Sequence, residues 1–334
     1  MGYALSLLDK SPIQDGETAS TALKRTIELA RLAEQWGFHR FWVAEHHDTP
    51  ALASSSPEVL IAFLLANTTR IRVGSGGVML QHYSPYKVAE NFNLLAALGP
   101  DRVDLGVGKA PGGLPYSTRA LQGVIPRSEK QDFAAQLAQL GAFLAKGLPE
   151  SDPLAGVRAT PLPTVAAHRF LLGASVDSAE LAAAQGWDFV FASHLNGDET
   201  VLQQTLDAYR KKAPDRSPLL AVGIVAAETD AEAERLVGNI QHFKVHVENG
   251  QSVTVGSVEQ AEEYARQAGA TNYRIEKKTP NVLRGSAHTV TDQLERLHSR
   301  YGIGEFIIDT PINDAAKRLR SIELLAQAQF AAAA

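Results

Sequence analysis

Eight short apolar runs, each followed by a stretch with helical spacing, leave this chain few folds to choose from. The runs lie at 3–8, 41–44, 71–79, 103–107, 170–172, 189–192, 219–226 and 306–309. They are largely continuous rather than alternating, as expected of strands with both faces buried in a parallel sheet. Helical patterns follow at 18–36, 56–67, 85–98, 129–145, 178–185, 199–211, 231–239 and 313–328. In the first of these, Ala22, Leu29, Ala30, Ala33 and Trp36 share overlapping sides, and Gly37 stops the helix. Pro57 suits a first helical turn, and Glu58 complements the positive end of the helix dipole. Eight βα units predict an α/β fold, a (β/α)8 TIM barrel occupying residues 1–334 as one domain. Counting strands does not prove closure, so an open doubly wound sheet is the alternative.

Two segments exceed a minimal barrel. Residues 147–168 are rich in Pro and Gly and read as a long loop. Residues 243–288 form a long insertion before the last strand, with alternating charge and a short helix near 259–267. Loops this long act as lids or binding elements, or are disordered. The Ala-rich tail after Phe330 reads as frayed helix.

Composition narrows function by exclusion. The net charge of -5 gives no electrostatic case for nucleic acid or an anionic membrane surface. The absence of cysteine removes disulfides, thiolate nucleophiles and Cys-based metal sites. The start lacks a basic n-region, and the longest apolar run, 59–66, is far short of the roughly 20 residues of a membrane span. A soluble, cytoplasmic protein is expected.

The chemistry concentrates at strand ends. In His39-Arg40-Phe41-Trp42-Val43-Ala44-Glu45-His46-His47 a strand runs into an acid and two imidazoles. Adjacent strand residues face opposite sides, so if Trp42 and Ala44 line one face, His46 is the side chain delivered to the barrel mouth. The bland alternative is a pair of loop histidines satisfied by backbone. Gly74-Ser75-Gly76-Gly77 marks either a close backbone approach or a bulge. The run from Asp104 to Gly113 fails both the Walker pattern and the dinucleotide fingerprint, yet Lys109 could grip one phosphate as a point charge. Ser175 and Ser178, after Gly173-Ala174, either cap a helix or complete an anion site there. His46, His82 and His194 follow three different strands and could converge on a metal, but no HxH pair is present and no metal is expected. No serine stands in a nucleophile-elbow context.

Taken together, Trp42–His47, Gly74–Leu80, the helix 91–101, Asp104–Gly113 and Phe170–Ser178 resemble the luciferase-like family of flavin-dependent monooxygenases over nearly the whole chain. The resemblance implies a (β/α)8 barrel, with His46 as the catalytic histidine, Glu45 beside it, and a non-proline cis peptide at Gly76-Gly77 under the flavin. It places Ala44, Gly76, Gly77, Gly108, Lys109, Ser175, Val176 and Ser178 around FMN. Lys109 stands where bacterial luciferase has Arg and so lacks bidentate geometry, and Gly108 replaces a cysteine. The implied reaction uses FMNH2 from a separate NAD(P)H:flavin reductase, since no nicotinamide fingerprint is present. O2 then gives a flavin C4a-hydroperoxide, with His46, tuned by Glu45, as base or hydrogen-bond partner, and 243–288 as the lid. The substrate would be a small organic molecule, by default an aldehyde, and the assembly a homodimer. Two rival readings are deazaflavin-dependent hydride transfer and a non-catalytic flavin-binding protein; the Glu-His-His run speaks against the first and His46 against the second.

Overall fold

The computed structural model describes residues 2–123, 131–145, 147–195, 197–238, 240–248, 252–278 and 281–330. The tail after Phe330 and the first residues of the helix expected over 129–145 lie outside them. Strand and helix alternate through β1 (Ala4–Asp9), α1 (Ala19–Trp36), β2 (Arg40–Val43), α2 (Pro57–Asn67), β3 (Arg72–Met79) and α3 (Pro85–Leu98). They continue through β4 (Val103–Gly108), α4 (Pro115–Gln122), α5 (Phe133–Leu144), β5 (His168–Gly173), α6 (Val176–Ala184), β6 (Asp188–Ala192), α7 (Glu199–Lys212), β7 (Leu219–Ala227) and α8 (Asp230–Val237). The insertion supplies β8 (His242–Val247), β9 (Ser252–Val255), α9 (Val258–Ala268), β10 (Tyr273–Lys278) and β11 (Val282–Ser286). The chain ends with α10 (Ala287–Tyr301), β12 (Glu305–Asp309) and α11 (Ala315–Phe330).

Strands β1 to β7 lie in sequence order, and β12 pairs with both β7 and β1. The β6–β7 pairing completes the ring, so the eight strands form a closed parallel barrel rather than an open sheet. Strand β11 pairs with the outer end of β7. Local chemistry sets the helix ends. Thr18 accepts the Thr21 N–H at the start of α1, and Gly37 ends it at φ 92°, a left-handed conformation that costs glycine little. Pro57 and Pro85 occupy first-turn positions of α2 and α3.

Two cores divide the apolar side chains. Leu8, Trp42, Ala44, Phe170, Val190, Leu219, Ala221 and Ile307 fill the barrel interior, which places Trp42 and Ala44 on the same inward face. A larger cluster packs the strands' outer faces against the helices. The floor of the barrel is polar: Asp104 accepts from Arg40 (2.9 Å), Trp42 Nε1 (3.0 Å) and Arg72 (2.8 Å), and Glu305 accepts from Arg40 (2.7 Å) and Ser6 (2.6 Å). Every charge there has a counter-charge, so the network seals the barrel end away from the chemistry.

The insertion is a small layered unit. Strands β8, β9 and β10 form an antiparallel sheet in the order β10-β8-β9, whose Phe243, Val245 and Val247 pack on Ala261, Tyr264 and Ala265 of α9. Leu114, just before α4, joins that cluster, and Gln267 Oε1 accepts the Tyr116 N–H at 2.8 Å. The insertion is therefore clamped to the loop that follows β4. Among the described residues no helix is long and apolar enough to cross a membrane.

Candidate active site

The carboxyl ends of the strands form the barrel mouth, and the first arc of it runs over β2 to β5. The inward alternation that buries Trp42 and Ala44 leads to His46 at the end of β2. The His46 N–H donates to Ser54 O at 2.9 Å, while Nδ1 is buried without a hydrogen-bond partner among the described residues. Burial, then the Lys10 ammonium, lowers the His46 pKa to about 4, so the imidazole is neutral at pH 7. A neutral ring with one unoccupied nitrogen can accept or donate a single proton at the mouth.

Glu45 points elsewhere. It is fully buried, and Oε1 accepts from His47 Nε2 (2.7 Å) and from the Tyr83 hydroxyl (2.7 Å), while Oε2 accepts the Met79 N–H (3.0 Å). These bonds commit both oxygens to fixing β2 against the end of β3, so Glu45 has His47 rather than His46 as its imidazole partner. Burial, then Glu45, raises the Tyr83 pKa and keeps that phenol a donor.

At the end of β3 the Gly76-Gly77 peptide is cis. A Cβ on Gly77 would sit 2.8 Å from Gly106 O, so two backbones approach there as only glycine permits. Gly108 differs: a Cβ there would meet only Met79 Sδ, at 3.9 Å, which leaves open space at the mouth. Lys109 follows, exposed, with its ammonium unpaired among the described residues. On neighbouring β5, Ser175 caps α6, accepting the Ser178 N–H at 3.3 Å with the two hydroxyls 3.1 Å apart. Val176 is the first residue of α6, where amides point outward unbonded. Lys109, two hydroxyls and a helix N-terminus on adjacent strands can hold one phosphate. This donor set fits the single phosphate of a flavin-type cofactor.

The family model described as luciferase-like monooxygenase matches residues 4–304. The chain belongs to the luciferase-like monooxygenase family. The N-acetyl-S-alkylcysteine monooxygenase of Bacillus subtilis (strain 168) is 44% identical over 331 residues, covering 98% of each chain. The structure titled apo-MsnO8 is 34% identical with a TM-score of 0.77 and 98% coverage of both chains. At 20% identity and TM-score 0.69, the FMN complex of the oxygenating constituent of 3,6-diketocamphane monooxygenase from Pseudomonas putida shares the fold, as does an F420-dependent secondary alcohol dehydrogenase at 15% and TM-score 0.68. The protein is thus an enzyme of the monooxygenase class.

A second arc of this luciferase-like monooxygenase, over β6, β7, β12 and β1, carries Lys10, Asp309 and His242, which the sequence did not single out, and His194, which it offered only as a metal ligand. Lys10, just past β1, donates to Asp309 at the end of β12 over 2.5 Å. Burial pushes the Asp309 carboxyl up, but Lys10 and then His194 prevail and hold it below the usual range. His194, after β6, is lowered to about 4 by burial. His242, at the start of β8, is lowered by burial and then by Lys10. The available signal was a charged residue closing an apolar strand, at 8–10 and again at 306–309. His82 goes to structure: Nε2 meets Pro111 O at 2.7 Å and Nδ1 meets Gln122 Nε2 at 2.8 Å. Among the described residues no three His, Asp or Glu side chains gather as a metal-ligand cluster.

Proposed function

We propose that this chain is the oxygenase component of a two-component system, taking reduced FMN from a separate NAD(P)H:flavin reductase and oxygenating a small organic substrate. What supports this reading is a neutral His46 with a partnerless Nδ1 after β2, together with Lys109 after β4 and Ser175, Val176 and Ser178 after β5 as donors for one phosphate. Bound reduced FMN supplies the two electrons that activate O2; one oxygen atom enters the substrate and the other leaves as water. His46 holds or moves one proton at Nδ1, and its low pKa keeps it able to accept. Ala44 and the Gly76-Gly77 backbone would hold the flavin ring, and Gly108, where a Cβ would meet only Met79 Sδ at 3.9 Å, would leave it room. Glu45 serves by fixing His47, Tyr83 and Met79, and so positions the β2 and β3 ends.

The insertion 243–288, clamped to the loop after β4, acts as the lid that limits water at the mouth. For the substrate, the 44% identical relative favours an S-alkylated N-acylcysteine over an aldehyde. Deazaflavin-dependent hydride transfer has only a fold-level likeness behind it. The enzyme works as a homodimer through α2 and α3, whose Val59 (69% exposed), Phe63, Leu94 and Leu98 present large apolar side chains to solvent. The test is product formation from N-acetyl-S-ethylcysteine with reductase, NADH, FMN and O2. Conversion by wild type and an about 10²–10⁴-fold loss in His46→Ala support it; no product from wild type refutes it.

A further inference from the structure

The insertion sheet has two faces, and only one is used by α9. The other carries His242, Lys244 and His246 on β8, with Lys278, Glu276 and Arg274 opposite them on β10. Apart from Arg274 these side chains are half-buried rather than solvated. Two permanent cations, Lys278 and Arg274, and the His246 imidazole therefore share one carboxylate. Glu276 is already committed: Oε1 takes Lys278 at 2.5 Å, and Oε2 lies 3.4 Å from His246 and 3.6 Å from Arg274. Lys244 is directly across from Glu276 in register, yet its ammonium has no ion pair among the described residues. An unpaired ammonium on a part-buried residue is free to receive an anion, and it stands out in a chain of net charge -5.

The position of this face is set from two sides. Asn281, three residues beyond Lys278, donates to Ser193 O at 2.7 Å, beside His194. Tyr116 and Leu114 hold α9 over the opposite side of the mouth. On that face His242 lies within electrostatic reach of Lys10, Asp309 and His194, which places this edge of the sheet near the β6, β12 and β1 ends. Beneath it, Lys10 is balanced by Asp309, and Asp9 by Arg318 at 2.9 Å, so the buried acids nearby are already paired.

We propose that the substrate is a small organic anion and that Lys244, on the polar face of the insertion sheet, receives its carboxylate. This rests on the oxygenase reading above and gives it a substrate class: a molecule with an apolar, oxidisable end reaching the flavin side and an acid end under the sheet. Lys244 is the specificity-determining residue, and His46 stays with the proton chemistry.

Calorimetric titration of the FMN-loaded protein with N-acetyl-S-ethylcysteine and with its methyl ester tests this. Wild type is expected to bind the acid about tenfold or more tighter than the ester, a preference that falls with added salt. Lys244→Met removes most of the preference while leaving ester affinity in place, and Lys244→Arg keeps it. Lys277→Met, on the opposite face across from Phe243, removes the same charge and leaves the preference intact. Equal binding of acid and ester by wild type, binding of neither, or an undiminished preference in Lys244→Met would overturn the proposal. Oxygenation is read separately: an acid that is preferred but never oxygenated defeats the oxygenase reading alone, and oxygenation without preference for the acid defeats the anion site alone.

Discussion

Lys10 and Asp309, 299 residues apart in sequence, meet at 2.5 Å where the last barrel strand closes on the first. The pair ties the last barrel strand to the first, one seam of the ring that the β6–β7 pairing completes. Asp309 is buried and Lys10 partly exposed. Lys10→Met should therefore cost about 2–3 kcal/mol, the low end for breaking a buried pair, because Asp309 is left uncompensated. The double variant with Asp309→Asn should regain part of that. Chemical denaturation of the single and double variants checks it; equal stability of Lys10→Met and wild type would remove the pair from the account.

Acid should unfold the protein through its mouth. His46 and His194 both have folded-state pKa values of about 4, against an ordinary 6.5. Between those values the unfolded chain binds protons that the folded chain does not, so stability falls as pH drops from 6.5 towards 4. Above 6.5 neither state is protonated and the effect is absent. The slope is about 1.4 kcal/mol per pH unit for each histidine. Denaturation midpoints from pH 4.5 to 8 should show it, and His194→Gln should make the acid limb shallower.

His46 takes its low pKa from burial and then Lys10, with Glu45 bonded elsewhere. An NMR titration of the His46 imidazole should therefore keep its low midpoint in Glu45→Gln and move upward in Lys10→Met. Glu45→Gln should instead lower stability by about 1–3 kcal/mol, since Tyr83, His47 and the Met79 amide share a fully buried acceptor. A His46 midpoint that follows Glu45 would contradict this division.

Two glycines near the same site should behave oppositely. Gly77→Ala drives a methyl into the Gly106 backbone at 2.8 Å and should cost about 1–3 kcal/mol. Gly108→Ala meets only Met79 Sδ at 3.9 Å and should leave stability within about 0.5 kcal/mol. Thermal melts of the two variants decide it.

These contrasts track what was legible beforehand. The eight barrel strands could be read because burial on both faces makes each a continuous apolar run. Helix α4 escaped notice because none of its residues is buried, and α10 because only Val290, Leu294 and Tyr301 are. The insertion read as a charged loop, yet its period-2 pattern, buried Phe243, Val245 and Val247 between half-buried polar residues, was that of a one-sided strand. His46, Lys109 and Ser175 could be named because each follows its strand locally. Lys10 and Asp309 have no local sign of their partnership, since only the pairing of the last strand with the first joins them.

Exposed Phe63 and Leu98 on α2 and α3 should be covered in solution. Light scattering should give a dimer for wild type and a monomer for Phe63→Lys with Leu98→Lys, at unchanged helix content. A monomeric wild type would contradict the proposed assembly.

The central claim is that this mouth uses reduced FMN to place one atom of O2 in a small substrate. The most direct measurement is mass spectrometry of N-acetyl-S-ethylcysteine products formed under isotopically heavy O2, with a flavin reductase, NADH and FMN. The account predicts a product carrying one heavy oxygen atom, formed by wild type and lost in His46→Ala. Product without the label, or turnover only when a reduced deazaflavin replaces FMN, would contradict it.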